Sequence, residues 1–335
     1  KKARIAQEKF ERQGSQQLFD LACQAVGWAL MEPEHNQRLA KLAVKETGLG
    51  NVSDKIKKNH NKTLGLLRDI KGVKSFGHVS EDEELGLSVY LRPKGVVAAI
   101  VPSTNPLATP VNNIINALKC GNSIIVAPSP KGAQPLRELL SIIHDNLSLI
   151  GVDQDLVQMV PMPPTKGKTN RLMQLADMLV VTGSQNNVKA GYSSGTPALG
   201  VGQGNVVTII DETADIEGAA AKISVSKTFD NATSCSSENS VIAIDTVYDE
   251  VVSSLCSEGG LVLSEEEGSR LTDIHWKNGK MTTDLLAQDI DVIIDKVDLK
   301  DRASKDTKFL ILPTNKAGAS EVVCGEKMSR FLTLY

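Results

Sequence analysis

Val96-Val97-Ala98-Ala99-Ile100-Val101-Pro102-Ser103-Thr104-Asn105-Pro106 is where the character of this chain changes. Six apolar residues, four of them β-branched, run into a proline. They read as a strand that ends at Pro102, with a helix starting beyond and Pro106 in its first turn. Just upstream, Leu87–Leu91 is a second β-type run, and Arg92-Pro93-Lys94-Gly95 between the two is a turn signal, so residues 87–101 read as a hairpin. Downstream, strand and helix patterns alternate. Strand-like runs are Ser123–Val126, Val157–Val160, Met178–Val181 and Val206–Ile210; helical patterns lie at Pro135–Leu147, Thr169–Ala176 and Gln185–Ser193. Such alternation predicts an α/β fold of βαβ units around a parallel sheet, with ligands at the C-terminal strand ends.

The flanks differ. Residues 1–70 read as helices: one carries Leu18, Phe19, Ala22, Val26, Ala29 and Leu30 on a face, the next starts near Pro33, and a third follows Ser53-Asp54. Lys55–Lys62 holds four lysines, which read as a solvated face. Beyond a helix at about Ala214–Lys227 come a strand at Ser240–Ile244, a helix at Val247–Cys256, and strands near Lys308–Leu312 and Glu321–Val323, a second α/β domain. The resulting division is a dinucleotide-binding domain over residues 1–225 and a second domain over 226–335.

Composition narrows the classes. With 37 basic and 40 acidic residues the net charge is −3, and aromatics make up only 4%, so neither a basic nucleic-acid face nor a stacking platform is expected. No apolar run approaches the ~20 residues that span a bilayer, and membrane association is not expected. Cys23, Cys120, Cys235, Cys256 and Cys324 are odd in number and without C-x-x-C spacing, and the histidines do not cluster. Neither a zinc site nor a disulfide framework is expected; a reducing cytoplasm fits better.

Four constellations carry chemistry. Cys235, in Thr233-Ser234-Cys235-Ser236-Ser237-Glu238, is flanked by hydroxyls rather than by apolar residues, as a reactive thiol would be; the competing reading is an inert buried cysteine. Asn105 is either a helix N-cap or an amide aimed at a developing oxyanion. Thr182-Gly183-Ser184 joins a strand to a helix, a geometry that presents backbone N–H groups to phosphate; a plain strand–turn–helix with Ser184 as cap is the alternative. Gly200-Val201-Gly202-Gln203-Gly204-Asn205 has the wrong spacing for the dinucleotide fingerprint. Its glycines would let backbone lie close either to a ligand or to another strand.

Taken in order, these motifs resemble the aldehyde dehydrogenase superfamily, and within it the CoA-acylating branch. The phrases Tyr192-Ser193-Ser194-Gly195, Gly200 through Asn205, and Phe229-Asp230-Asn231 through Cys235-Ser236-Ser237-Glu238 carry the resemblance, which runs from about Ser15 to the end. It implies a Rossmann-type cofactor domain, a catalytic domain incomplete at its C-terminal end, a homodimer or homotetramer, and an oligomerisation role for the 87–101 hairpin. It implies Cys235 as nucleophile and Asn105 as oxyanion amide. Thr182, Gly183, Ser184 and Ser129 are implied as cofactor-binding, as is Glu326, which would hydrogen-bond the nicotinamide ribose; its alternative is a solvated surface carboxylate. Hydrolytic members carry a water-activating glutamate in the glycine-rich segment, where this chain has Val201 and Gln203. Coenzyme A, rather than water, is then expected to release the acyl group. Ala127 replaces a ribose-gripping lysine, and Lys131 could attract a 2′-phosphate, so NAD and NADP both stay open. Arg330 stands where many members have proline. The resemblance is to enzymes of acetaldehyde, succinate semialdehyde and sulfoacetaldehyde. A small anionic aldehyde such as sulfoacetaldehyde or succinate semialdehyde is the expected substrate, which a cationic pocket near Cys235, from Arg330, Lys227 or another base, would favour. The alternatives are the aldehyde half of a bifunctional aldehyde–alcohol dehydrogenase, an acyl-phosphate reductase such as γ-glutamyl-phosphate reductase, and a non-catalytic nucleotide-binding scaffold.

Overall fold

In the computed structural model, which describes residues 1–335, the run Val96–Val101 is a strand buried along its whole length. Both faces of its sheet are covered, which is why no polar residue interrupts it. Four helices precede the strands: α1 (Lys2–Arg12), α2 (Gln16–Met31), α3 (Pro33–Thr47) and α4 (Val52–Asp69). Ser15 caps α2 by accepting from Leu18 N, and Pro33 opens α3. The polar helix α1 is not apparent from periodicity, because its apolar stripe is only Ala3, Ala6 and Phe10.

There follow β1 (Gly77–Asp82), β2 (Leu87–Leu91), β3 (Val96–Val101), α5 (Ala108–Lys119), β4 (Ser123–Pro128), α6 (Ala133–Leu149), β5 (Val157–Met159), α7 (Lys166–Leu175), β6 (Met178–Thr182), α8 (Gln185–Tyr192) and β7 (Ala198–Val201). The sheet is parallel, in the order β5-β4-β3-β6-β7. Val97, Ala99 and Val101 enter one core with α2, α5 and α6; Ala98 and Ile100 enter another with Met173, Leu179 and Val181.

The expected 87–101 hairpin does not form. β2 pairs antiparallel with β1, so the hairpin spans 77–91. Both edges of β3 are already taken, by β4 and β6, and no ladder remains for β2. The turn itself lies at Glu83-Glu84-Leu85-Gly86, with Gly86 at φ 61.

A second unit holds β8 (Val206–Ile210), α9 (Ile216–Thr228), β9 (Glu238–Ala243), α10 (Tyr248–Ser257), β10 (Gly260–Val262), α11 (Glu265–His275), β11 (Trp276–Lys277), β12 (Lys280–Met281), α12 (Ile290–Val297), β13 (Phe309–Pro313) and β14 (Phe331–Leu334). Its main sheet, also parallel, runs β10-β13-β14-β9-β8. The compact units are residues 1–48 with 55–202, and residues 49–54 with 203–335. The expected boundary at 225/226 therefore falls inside α9, because β8 already pairs with β9. Residues 49–54 join the second unit through Gly50 N to Ala287 O (3.1 Å) and Asn51 N to Asp230 Oδ1 (3.0 Å). The strand expected at Glu321–Val323 is a 3-10 turn over Val322–Cys324. The carbonyls of Val323 and of Gly325 just beyond the turn accept from the buried Lys327 amine instead of pairing with a neighbouring strand. No helix is long and apolar enough to cross a membrane.

Candidate active site

In the first unit, the chain moves outward from β3 to β4 to β5, then returns to place β6 on the other side of β3. The crevice of such a sheet opens where this order reverses, between β3 and β6. Three of the sequence-derived motifs follow strands at this edge: Asn105 after β3, Ser129 after β4, and Thr182-Gly183-Ser184 at the end of β6. Asn105 is half-buried and does not cap α5; the cap position is Leu107, which has no side-chain cap bond. The capping reading fails because Pro106 and Leu107 intervene. The Asn105 loop is tied back by Lys55 Nζ, which donates to Thr104 O (3.4 Å). Lys55 and Lys58 are buried, so half of the lysine run is not a solvated face.

Gly183 has φ +145, and a Cβ placed there would meet nothing nearer than 3.9 Å. Backbone conformation rather than crowding makes glycine the residue for this position. Ser184 caps α8 through Asn187 N (3.4 Å). The first-turn N–H groups of the exposed Gln185 and Asn186 have no partner within the helix and suit an anion such as a pyrophosphate. Ser129 Oγ accepts from Gly132 N (3.2 Å), a local cap.

In the second unit, Ser237 N donates to Ser234 O (3.0 Å), closing a tight turn with Cys235 at its first corner, exposed. Cys23 is the contrast: buried, its thiol donating to Ile115 O (3.3 Å) and pushed up to about 12 by burial. The backbone at Gly204 passes between two site residues. A Cβ there would lie 3.2 Å from Cys235 O and 3.9 Å from Glu326 Oε1. Gly204 N–H donates to the Glu326 carboxylate. Glu326 is thus half-buried and hydrogen-bonded, not a solvated surface carboxylate. Burial raises its pKa, while the Gly204 N–H and the Lys227 charge oppose the rise. The glycine-rich segment admits other parts of this chain at both ends, for a Cβ at Gly200 would meet Val188 and Tyr192 side chains at 2.8 and 2.9 Å.

Three residues leading to the cysteine turn are left-handed: Asp230 (φ 48), Asn231 (φ 53) and Ala232 (φ 59). Each such L-residue costs about 1–2 kcal/mol in a helical context, less for Asp and Asn, which bond locally. Asp230 N donates to Asp54 Oδ2 (2.9 Å), and its own Oδ2 accepts from Thr233 Oγ1 (2.5 Å).

Below the site lie two lysines with no exposed surface. Lys227 Nζ donates to Glu238 O (2.8 Å); Lys327 Nζ donates to Val323 O (2.7 Å) and Gly325 O (3.0 Å). Burial lowers both to about 7, and for Lys227 the Lys327 charge adds to the effect. His275, held near 4 chiefly by burial, donates Nε2–H to Lys327 O (2.9 Å). Lys227 and Arg330 are both engaged with protein oxygens. Sequence alone gives no role to Asn231 or Lys327, and no sign that Lys227 is buried. An Asp-Asn pair in Phe229-Asp230-Asn231-Ala232 was the available signal for left-handed backbone; a lysine gives no local sign that it will be buried.

Comparison with known proteins agrees with these motifs. The family model described as the aldehyde dehydrogenase family matches residues 23–259. The acylating sulfoacetaldehyde dehydrogenase of Cupriavidus necator is 49% identical over 334 residues, covering 100% of this chain and 68% of that protein. The crystal structure of an acetylating aldehyde dehydrogenase from Geobacillus thermoglucosidasius superposes with a TM-score of 0.94 at 34% identity, over 100% of this chain and 73% of that one. A Rhodopseudomonas palustris propionaldehyde dehydrogenase with bound CoA and an acylated cysteine gives a TM-score of 0.86 at 27% identity, over 99% of this chain and 75% of that one. The chain belongs to the aldehyde dehydrogenase family, in its acylating branch.

Proposed function

We propose that this enzyme converts a small anionic aldehyde to its CoA thioester, with Cys235 as nucleophile. The observation that carries this reading is an exposed cysteine at a turn corner, beside a glycine-rich segment without a carboxylate side chain. Only the thiolate attacks. Its addition to the carbonyl gives a hemithioacetal oxyanion, for which the Asn105 amide and the Cys235 backbone N–H are the donors in this reading. Thr182, Gly183, Ser184, Ser129 and Glu326 are the residues that would hold NAD or NADP, which when bound supplies the hydride acceptor. Oxidation of the adduct leaves a thioester on Cys235. Val201 and Gln203 give water no general base, whereas a thiol, ionised near ambient pH, needs less help. The CoA sulfur attacks the acyl carbon and the Cys235 sulfur leaves.

Whole-chain identity to a sulfoacetaldehyde dehydrogenase supports sulfoacetaldehyde as the aldehyde, with succinate semialdehyde next. In this reading the first unit binds the dinucleotide, the second carries the nucleophile, and the enzyme works in the reducing cytoplasm as a dimer or tetramer. An aldehyde panel assayed with NAD, NADP and CoA tests it. Turnover should require CoA and vanish in Cys235→Ala while cofactor binding remains. Steady NAD(P)H formation from aldehyde and water alone would exclude the acylating chemistry; inorganic phosphate replacing CoA as the acyl acceptor would favour the acyl-phosphate reductase.

A further inference from the structure

Arg330 stands four residues after Glu326 and just before β14, yet its guanidinium reaches the segment that leads to Cys235. Nε and Nη2 both donate to Asn231 Oδ1, at 2.9 and 2.6 Å. The other end of that amide is also engaged: Nδ2 donates to Asp289 Oδ1 (2.9 Å) and to Ala287 O (3.2 Å). Ala287 in turn donates its N–H to Met328 O (2.8 Å), and Met328 belongs to the Glu326 turn. Ala287 (φ 53) and Met328 (φ 45) are left-handed, as are Asp230, Asn231 and Ala232. A closed ring thus links three residues, Asn231, Ala287 and Met328, in a conformation that L-amino acids avoid, with Asp230 and Ala232 flanking the first of them. Such a conformation persists only where surrounding contacts over-determine it.

We propose that Arg330 is a positioning residue that latches the Glu326 turn to the Cys235 loop, holding nucleophile and cofactor carboxylate in one register. The guanidinium suits the task. It is planar and permanently charged, and two of its N–H groups converge on one oxygen; a lysine ammonium is a point charge on a flexible stem. Burial lowers the Arg330 pKa, and the carboxylates of Asp289, Asp54 and Asp291 oppose that effect in part. Arg330→Lys therefore keeps the charge among those carboxylates and loses only the fork, while Asn231→Ala removes the acceptor.

The proposal rests on Cys235 being the nucleophile, and the test separates the two. Iodoacetamide labelling is followed at the Cys235 peptide by mass spectrometry across pH, beside kcat, the aldehyde KM and the melting temperature. Wild type should label at Cys235 selectively and pH-dependently; if it does not, the nucleophile reading falls, and this proposal with it. Given that labelling, Arg330→Lys and Asn231→Ala should each slow Cys235 alkylation and kcat about tenfold, with the aldehyde KM within about twofold. The double variant should be no worse than the poorer single one, as for two ends of one bond. Variants that melt lower yet alkylate and turn over like wild type would reduce Arg330 to a structural brace and overturn the proposal. So would losses that multiply in the double variant.

Discussion

Lys227 places an ammonium group where none of its surface is exposed, eight residues before the proposed nucleophile. Burial first, then the Lys327 charge, lowers its pKa from 10.5 to about 7. The unfolded chain holds this proton up to the ordinary value, so between about 7 and 10.5 the unfolded state binds more protons than the folded one. The cost of burying the group is therefore felt in full below that window and fades as pH rises through it. We expect the stability of wild type relative to Lys227→Met to move in favour of wild type from pH 7 to pH 10, in chemical denaturation at several pH values. A difference that is flat across the window would show that the group does not titrate there. Asn105 is tested by rate rather than stability. Freed from any capping role, its amide is expected to matter only when negative charge develops on the substrate oxygen. Asn105→Ala should lower kcat by roughly 10²–10³, the usual loss for one oxyanion donor, with little change in melting temperature. An unchanged kcat would take the oxyanion role from it.

At the scale of elements, helix α8 shows how packing sets a binding loop. Its Gly191 lies flat on β6: an added Cβ would sit 2.9 Å from Val181 Cγ2, a short branched side chain with nowhere to swing. The same helix begins at Ser184, so its seat on β6 determines where the Gln185 and Asn186 N–H groups lie. Gly191→Ala should cost about 1–3 kcal/mol, as overpacking does, and should raise the cofactor KM severalfold. Denaturant titration and cofactor titration check the two halves; wild-type cofactor affinity in a destabilised variant would uncouple α8 from the cofactor site. The hairpin of β1 and β2 is an element of another kind. Leu87, Val89 and Leu91 alternate along β2 and are all exposed, as is Tyr90. A two-stranded ribbon is marginal alone, and an exposed apolar strand of this kind is what a partner copy would cover. Leu87→Asp with Val89→Asp should convert an oligomer to monomer in size-exclusion chromatography with light scattering. An unchanged mass would move the subunit interface elsewhere.

For the molecule as a whole, local signals and long-range pairing divide the information between them. The alternation of apolar runs with 3.6-period patterns from Val96 to Ile210, and the turn residues between them, are properties of neighbours in sequence. They determined by themselves that the chain builds parallel α/β units, and that Asn105, Ser129 and Thr182–Ser184 follow strand ends. Hydroxyl neighbours likewise singled out Cys235 as a candidate reactive thiol, but left a buried cysteine open; its exposure came with the fold. What only the tertiary structure decided is everything that depends on which distant segment arrives. β2 pairs with β1 because β3 has no free edge. β8 leaves the first sheet because β9 offers it a ladder. Gly204 meets Cys235 and Glu326, and Arg330 meets Asn231, across separations that no periodicity records. Lys55, Lys227 and Lys327 are buried for the same reason: a lysine looks alike in sequence whether it ends in water or under a folded loop, and desolvation is felt only after the fold has closed over it.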